Sequence, residues 1–250
     1  MTRTGRAAGE LRPVALELDY LDHAEGSCFA TAGKTRVLCA ASVEKRVPPF
    51  LVGSGSGWIT AEYALLPRAT HTRTARATAI PRGRSQEIKR LIGRALRAVC
   101  DMSQLGERQI VVDCDVIQAD GGTRTLAVTG GFCALKQAVL KLLERGDIER
   151  SPIVEHVAAT SVGVVDGEML LDLVYEEDSR AQVDMNLAMT ESGRIVEIQA
   201  TAEGMPFTFE QMVKLHALAA AATGELIQIQ HAAFRRRAGG LPSVDAGADG

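Results

Sequence analysis

The apolar residues of this chain switch repeatedly between a repeat of two and a repeat of 3.6, and that switching limits the folds open to it. Ser27–Ala32 and Thr35–Ala41 alternate as strands and meet at Ala32-Gly33-Lys34, which suits a hairpin turn. Gly53–Gly57 reads as a flexible loop before Trp58. Ser85–Asp101 places Ile88, Leu91, Ile92, Ala95, Leu96 and Val99 at helical spacing, with Ser85 as the expected N-cap. Gln109–Ala119 returns to alternation, with Ile110, Val112, Cys114 and Val116 on one face and Asp113 and Asp115 on the other. A second helix is expected from about Thr125 to Arg145, its interior small and apolar.

Four strands are expected next, at Val157–Val165, Glu168–Tyr175, Val183–Met189 and Arg194–Thr201, with turns at Asp166-Gly167 and Ser192-Gly193. A last helix opens at Thr208, where Gln211 completes a capping box. It is expected to run to about Thr223, with helix or strand continuing through Phe234. The class is therefore α+β, a mixed α/β fold with several antiparallel strands. Residues 1–234 are expected to form one domain with halves at about 10–145 and 152–232. Arg235 to Gly250, rich in Ala and Gly, is expected to be a disordered tail.

Charge is as segregated as hydrophobicity. Residues 68–97 carry nine basic side chains against Glu87 alone, a local charge of +8 in a chain of net charge −3, which leaves −11 elsewhere. A field concentrated in this way attracts polyanions. Arg90, Arg94 and Arg97 share the polar face of the Ser85–Asp101 helix; with the preceding arginine-rich loop they read as one continuous basic surface. Aromatics are only 4%, so a nucleic acid would be held by arginine and backbone contacts more than by base stacking.

Other chemistry is thinly represented. The five cysteines include no CxxC pair and read mainly as buried thiols, which suggests a reducing cytoplasm. The five histidines lack metal spacing, although His71 lies in the basic loop where it can touch RNA. Residues 1–6 lack an apolar signal region, and no apolar run is expected to approach the ~20 residues of a membrane span. Gly33-Lys34-Thr35 lacks the upstream glycine of a P-loop, since Cys28 stands there.

Asp120-Gly121-Gly122-Thr123-Arg124 is the better phosphate candidate. It links a strand to a helix N-terminus, where free N–H groups and the macrodipole favour an anion. Thr123 adds a hydroxyl and Arg124 a guanidinium; the same residues also read as a simple glycine turn with a surface arginine. Arg84 stands at the start of the other strong helix, so two arginines at two helix starts can close on one anion. Asp178 and Asp184 lie too far apart on a straight strand to share an ion, but a turn at Ser179–Ala181 would bring them together at the head of a hairpin. Such oxygens suit Mg2+ or Mn2+; an acidic surface loop is the alternative.

With these residues in view, the chain resembles the ribonuclease PH family of phosphate-dependent 3′-to-5′ exoribonucleases. The matching blocks are Gly5-Arg6 with Glu10-Leu11-Arg12-Pro13, Gly57-Trp58 to Pro67-Arg68, Thr70 to Arg73, Gly83-Arg84 with Glu87-Ile88, Gln118 to Thr125, and Glu177-Asp178-Ser179 with Asp184-Met185-Asn186. They run in family order from Gly5 to about Leu226, and only the shape of the Ala79–Arg82 loop departs. The resemblance implies a fold related to a domain of a small-subunit ribosomal protein, assembled as a homohexameric ring of three dimers. It implies phosphate binding by Arg84, Gly122, Thr123 and Arg124. It also implies catalytic, metal-associated roles for Asp178 and Asp184, and RNA binding by Arg68, Arg73 and Arg76. The implied activity is reversible trimming of 3′ extensions on transfer RNA precursors, with inorganic phosphate as co-substrate, Mg2+ or Mn2+ as cofactor and nucleoside 5′-diphosphates as products. The alternative is a catalytically silent, RNA-binding ring subunit of an exosome-like assembly.

Overall fold

The computed structural model describes residues 3, 5–75 and 83–239. Arg76, Ala79–Arg82 and the end of the chain from residue 240 lie outside the described residues.

A five-stranded sheet is built from the N-terminal half, in the order β1-β2-β3-β5-β4. Its strands are β1 (Val14–Leu18), β2 (Gly26–Ala32), β3 (Thr35–Glu44), β4 (Trp58–Leu65) and β5 (Gln109–Gln118). Ala32 pairs with Thr35 across the expected turn, where Gly33 takes φ +55°. β4 runs parallel to β5, the arrangement a crossover helix demands. That helix is α1 (Gly83–Ala98), and it buries Ile88, Leu91, Ile92, Ala95 and Leu96 as their spacing predicts. It begins earlier than expected, so Ser85 lies inside the first turn instead of capping it.

α2 (Thr123–Glu144) follows the glycine turn and also starts earlier than expected, which puts Thr123 and Arg124 in its first turn. This helix has the length and composition of a membrane span, contrary to the expectation that no apolar run approaches one; 78% of that apolar stretch is buried inside the fold. It packs against β2 and β3 of the first sheet and against the second sheet. Close approach explains its small residues, since a Cβ at Gly130 would stand 2.8 Å from the Ala30 Cβ and 3.1 Å from the Cys39 sulfur. Sulfur lines this contact. Cys28 pairs with Cys39 and Cys39 with Cys114 across three neighbouring strands, and Cys133 comes from α2. All four are free and buried, and hydrogen bonding to neighbouring thiols together with burial pushes the Cys28 and Cys39 thiols well up.

The second sheet is antiparallel, in the order β7-β6-β8-β9, from β6 (Val157–Val165), β7 (Glu168–Leu171), β8 (Val183–Thr190) and β9 (Ile195–Ala202). β7 stops at Leu171, short of the expected Tyr175, because Asp172 turns the chain at φ +52°. One turn of helix, α3 (Tyr175–Asp178), comes next. α4 (Phe209–Ala238) carries the expected Thr208–Gln211 capping box but continues as one helix beyond Thr223. Leu226, Ile227 and Gln230 are buried beneath it, and that burial outweighs the roughly 1 kcal/mol cost of a glycine, here Gly224, in a helix interior. Arg235–Arg237 are therefore helical and not part of a loose tail; Arg237 Nε donates to Asp19 Oδ2 at 2.6 Å.

Candidate active site

The turn after β5 is shaped from both sides. Gly121 and Gly122 take φ +74° and +64°, and a Cβ at Gly121 would run into the Leu173 carbonyl. Arg12 donates to the Asp120 carbonyl at 2.6 Å, and Thr35 Oγ1 donates to the Gly121 carbonyl at 2.7 Å. The Asp120 N–H returns a bond to Thr35 Oγ1 at 3.0 Å. Arg12 is itself fixed by Asp172, through bonds of 2.9 Å from Nε and 2.7 Å from Nη2. Arg6 joins Asp172, while Arg3 and Arg6 pair with Glu177, so the N-terminal segment is pinned under the turn. Burial opposes the Asp172 charge, but the Arg12 hydrogen bonds and the charges of Arg12 and Arg6 hold its carboxyl below the ordinary value.

The fixed turn delivers Thr123 and Arg124 at the N-terminus of α2, where backbone N–H groups lack helical partners. Thr123 Oγ1 lies 2.8 Å from the buried Tyr63 hydroxyl. Arg124 Nη1 donates to Glu87 Oε1 at 3.1 Å and to Gln199 Oε1 at 2.9 Å. Arg84 occupies the first turn of α1.

Opposite them stand the carboxylates. Asp178 ends α3 and Asp184 is the second residue of β8. The chain turns between them at Ser179–Arg180, as expected, but the turn continues from α3 and does not head a hairpin, because β8 pairs with β6 and β9. Two adjoining cavities, of about 890 and 320 Å3, share Arg84, Arg124, Asp178, Asp184 and Asn186 as walls. Gly122 and Thr123 line the smaller one. Burial first, and then the charge of Asp178, pushes Asp184 up to about 6 despite Arg124, Asn186 and Arg84. Burial also raises Asp178, against the pull of Arg84 and Arg124. Two desolvated carboxyls that repel one another across a polar cleft, with oxygen donors only, suit a hard divalent cation.

The expected RNA-binding arginines lie elsewhere. Arg68 and Arg73 are exposed on the loop after β4, which the 2.8 Å bond from the Ala119 N–H to the Ala69 carbonyl ties to the glycine turn. Arg68 donates to the His71 carbonyl at 2.8 Å, and neither arginine lines the two cavities. Arg76 lies outside the described residues. The continuous basic surface is interrupted: Arg94 pairs with Glu197, Lys89 with Glu62, and Arg97 lies over the Trp58 ring and donates to the Ile59 carbonyl.

Tyr63 and Gln199 were not singled out from sequence. Tyr63 stands near the carboxyl end of a strand parallel to its neighbour, the place where ligands gather in parallel sheets, but β4 itself was not foreseen. Away from the cleft, potential metal ligands of His156, Glu191 and His231 gather within 4.8 Å of one another. There the Lys136 ammonium lies 2.7 Å from His156 Nε2, so a protein cation already fills that space, and the two imidazoles stack face to face at 4.0 Å.

Two family models match in succession: the 3′ exoribonuclease family, domain 1, over residues 10–141, and domain 2 over residues 156–222. The ribonuclease PH of Moorella thermoacetica is 57% identical over 228 residues, which cover 90% of this chain and 91% of that protein. The chain belongs to the ribonuclease PH family of 3′ exoribonucleases. It is a phosphate-dependent 3′-to-5′ exoribonuclease, acting on RNA with phosphate as co-substrate. Among solved structures, an Archaeoglobus fulgidus exosome with RNA bound to the active site matches at TM-score 0.77 and 21% identity, over 90% of each chain. Rice (Oryza sativa) Rrp46 matches at 0.73 and 20%, over 91% of this chain and 97% of its own. At those identities the likeness carries the fold alone, and the silent ring subunit is not favoured.

Proposed function

We propose that this enzyme trims 3′ extensions of transfer RNA precursors, with Arg84, Gly122, Thr123 and Arg124 holding the attacking phosphate. The observation that carries this reading is the convergence of two helix-start arginines and two desolvated aspartates on one cleft. An oxygen of the bound phosphate attacks the phosphorus of the last 3′–5′ linkage. The bond from phosphorus to the 3′-oxygen breaks, and the freed 3′-oxygen takes a proton. The terminal residue departs as a nucleoside 5′-diphosphate, and the RNA ends one nucleotide shorter. The guanidinium groups hold two anions together and offset their repulsion, which is a matter of positioning and electrostatics. Asp184, whose carboxyl burial and the charge of Asp178 push up to about 6, would supply the proton.

Asp178 and Asp184 would hold Mg2+ or Mn2+, which when bound neutralises charge on phosphate oxygens. Arg68, Arg73 and Arg76 would grip the RNA backbone without reading its sequence. Subunits would assemble as a homohexameric ring in the cytoplasm. Exposed Met205 in the loop before α4, Phe209 and Val213 at its start, and Phe50 and Val52 before β4 would supply apolar surface for such contacts.

The test is to incubate the purified protein with a 3′-extended transfer RNA precursor, with and without inorganic phosphate, and to identify the mononucleotide released. Diphosphates that appear only with phosphate support the proposal. Monophosphates in both reactions reject it in favour of a metal-activated water.

A further inference from the structure

The three threonines of the first two turns of α2 are not equivalent. Thr125 Oγ1 donates back to the Gly122 carbonyl at 2.9 Å, and Thr129 Oγ1 to the Thr125 carbonyl at 3.1 Å. Both protons are spent on the helix backbone, the usual fate of a helical threonine. Thr123 Oγ1 instead meets the Tyr63 hydroxyl at 2.8 Å, from a strand of the first sheet. Tyr63 is 6% exposed, and Tyr63 and Thr123 both line the cavity that Arg84 and Arg124 also line.

We propose that Tyr63 is a positioning residue that turns Thr123 into a phosphate donor. A phenol is the more acidic of the two hydroxyls, so it gives the proton in the shared bond, and Thr123 Oγ1 accepts. The threonine's own proton is then left to point into the cavity. Only a donor is useful there, because the ligand beside Arg84 and Arg124 is an anion. Without the phenol, the threonine hydroxyl is free to rotate, because the first residue of a helix has no preceding helical carbonyl to hold its proton. The burial of Tyr63, on a strand of the sheet, holds its ring still, so the orientation is set before phosphate arrives. This inference rests on the reading of Thr123 as part of the phosphate site.

The experiment is a cycle of Tyr63→Phe, Thr123→Val and the double variant in the full-length enzyme, with Thr123→Ser as the conservative control. The readouts are KM for phosphate, kcat at saturating phosphate, and RNA affinity without phosphate. Tyr63→Phe should raise KM for phosphate about tenfold, the loss of one hydrogen bond to a charged group. Changes in kcat should stay within about threefold, and RNA affinity should be unchanged. Thr123→Val should raise KM by a similar factor, and the double variant should add nothing further. Thr123→Ser should keep the low KM while Tyr63 is present and lose it when Tyr63→Phe is added. An unchanged KM in Tyr63→Phe beside a raised KM in Thr123→Val overturns the inference and leaves the phosphate site standing. Additive losses in the double variant overturn it too, because they would mean that the two hydroxyls act separately. An unchanged KM in both single variants overturns the inference together with Thr123's place in the phosphate site. Should Tyr63→Phe fold poorly, Tyr63→Leu, which is smaller and carries no donor, takes its place under the same criteria.

Discussion

Glu177 and Asp178 are neighbours in sequence with opposite surroundings. Glu177 faces Arg3 and Arg6; burial opposes its charge, but those partners and the Val174 N–H hold its carboxyl below the ordinary value. Asp172, bound by Arg12 and Arg6, belongs to the same paired group. Asp178 and Asp184 face the cleft, and burial raises both. The paired acids fasten the N-terminal segment beneath the glycine turn. The raised acids retain an electrostatic cost that a substrate or cation can relieve, which is the usual mark of a working site. Stability and chemistry are thus assigned to carboxylates one peptide bond apart.

The sharpest way to break this contrast is Asp184→Ala. Turnover in saturating phosphate should fall by about 10³-fold or more, measured as diphosphate release, while the urea midpoint holds or rises because a desolvated charge has gone. Asp172→Asn should do the reverse. It leaves two arginines facing a neutral group and should cost about 3–5 kcal/mol, read from urea denaturation at constant slope. The pH dependence carries the sign. Because the folded Asp172 carboxyl is held below 3.8, the unfolded chain takes up that proton first, so wild-type stability drops as pH falls below this value and the variant should show a shallower drop.

Arg84→Ala should raise KM for phosphate about 10²-fold and leave RNA binding largely intact, checked by phosphate titration beside RNA binding without phosphate. The smallest effect is expected outside the cleft. Neutralising Arg68 and Arg73 together should weaken RNA binding and flatten its dependence on salt by up to about two phosphate contacts. An unchanged salt slope would place the grip on other residues.

Much of the cleft was legible in the sequence because its parts lie at changes of period. Arg84 and Arg124 follow loops that open helices, and Asp178 and Asp184 flank a break before an apolar strand. What stayed hidden had weak local signals. β1 is a half-buried edge strand, and the buried face of β4 is Ile59, Ala61 and Tyr63, in which alanine adds little contrast. α3 is a single turn and has no period to reveal. The full length of α4 depends on burial against distant strands that sequence cannot display. Partners such as Tyr63 with Thr123 and Gln199 with Arg124 are separated by 60 and 75 residues, so only folding makes them neighbours.

The row of sulfur atoms between α2 and the first sheet gives the molecule a built-in clock. Cys28, Cys39, Cys114 and Cys133 are all sealed from solvent, so an alkylating reagent can reach them only when helix and strands part. The lag before modification would time how often this half of the enzyme breathes, and comparing that lag with and without phosphate would show whether filling the cleft quietens the interior behind it.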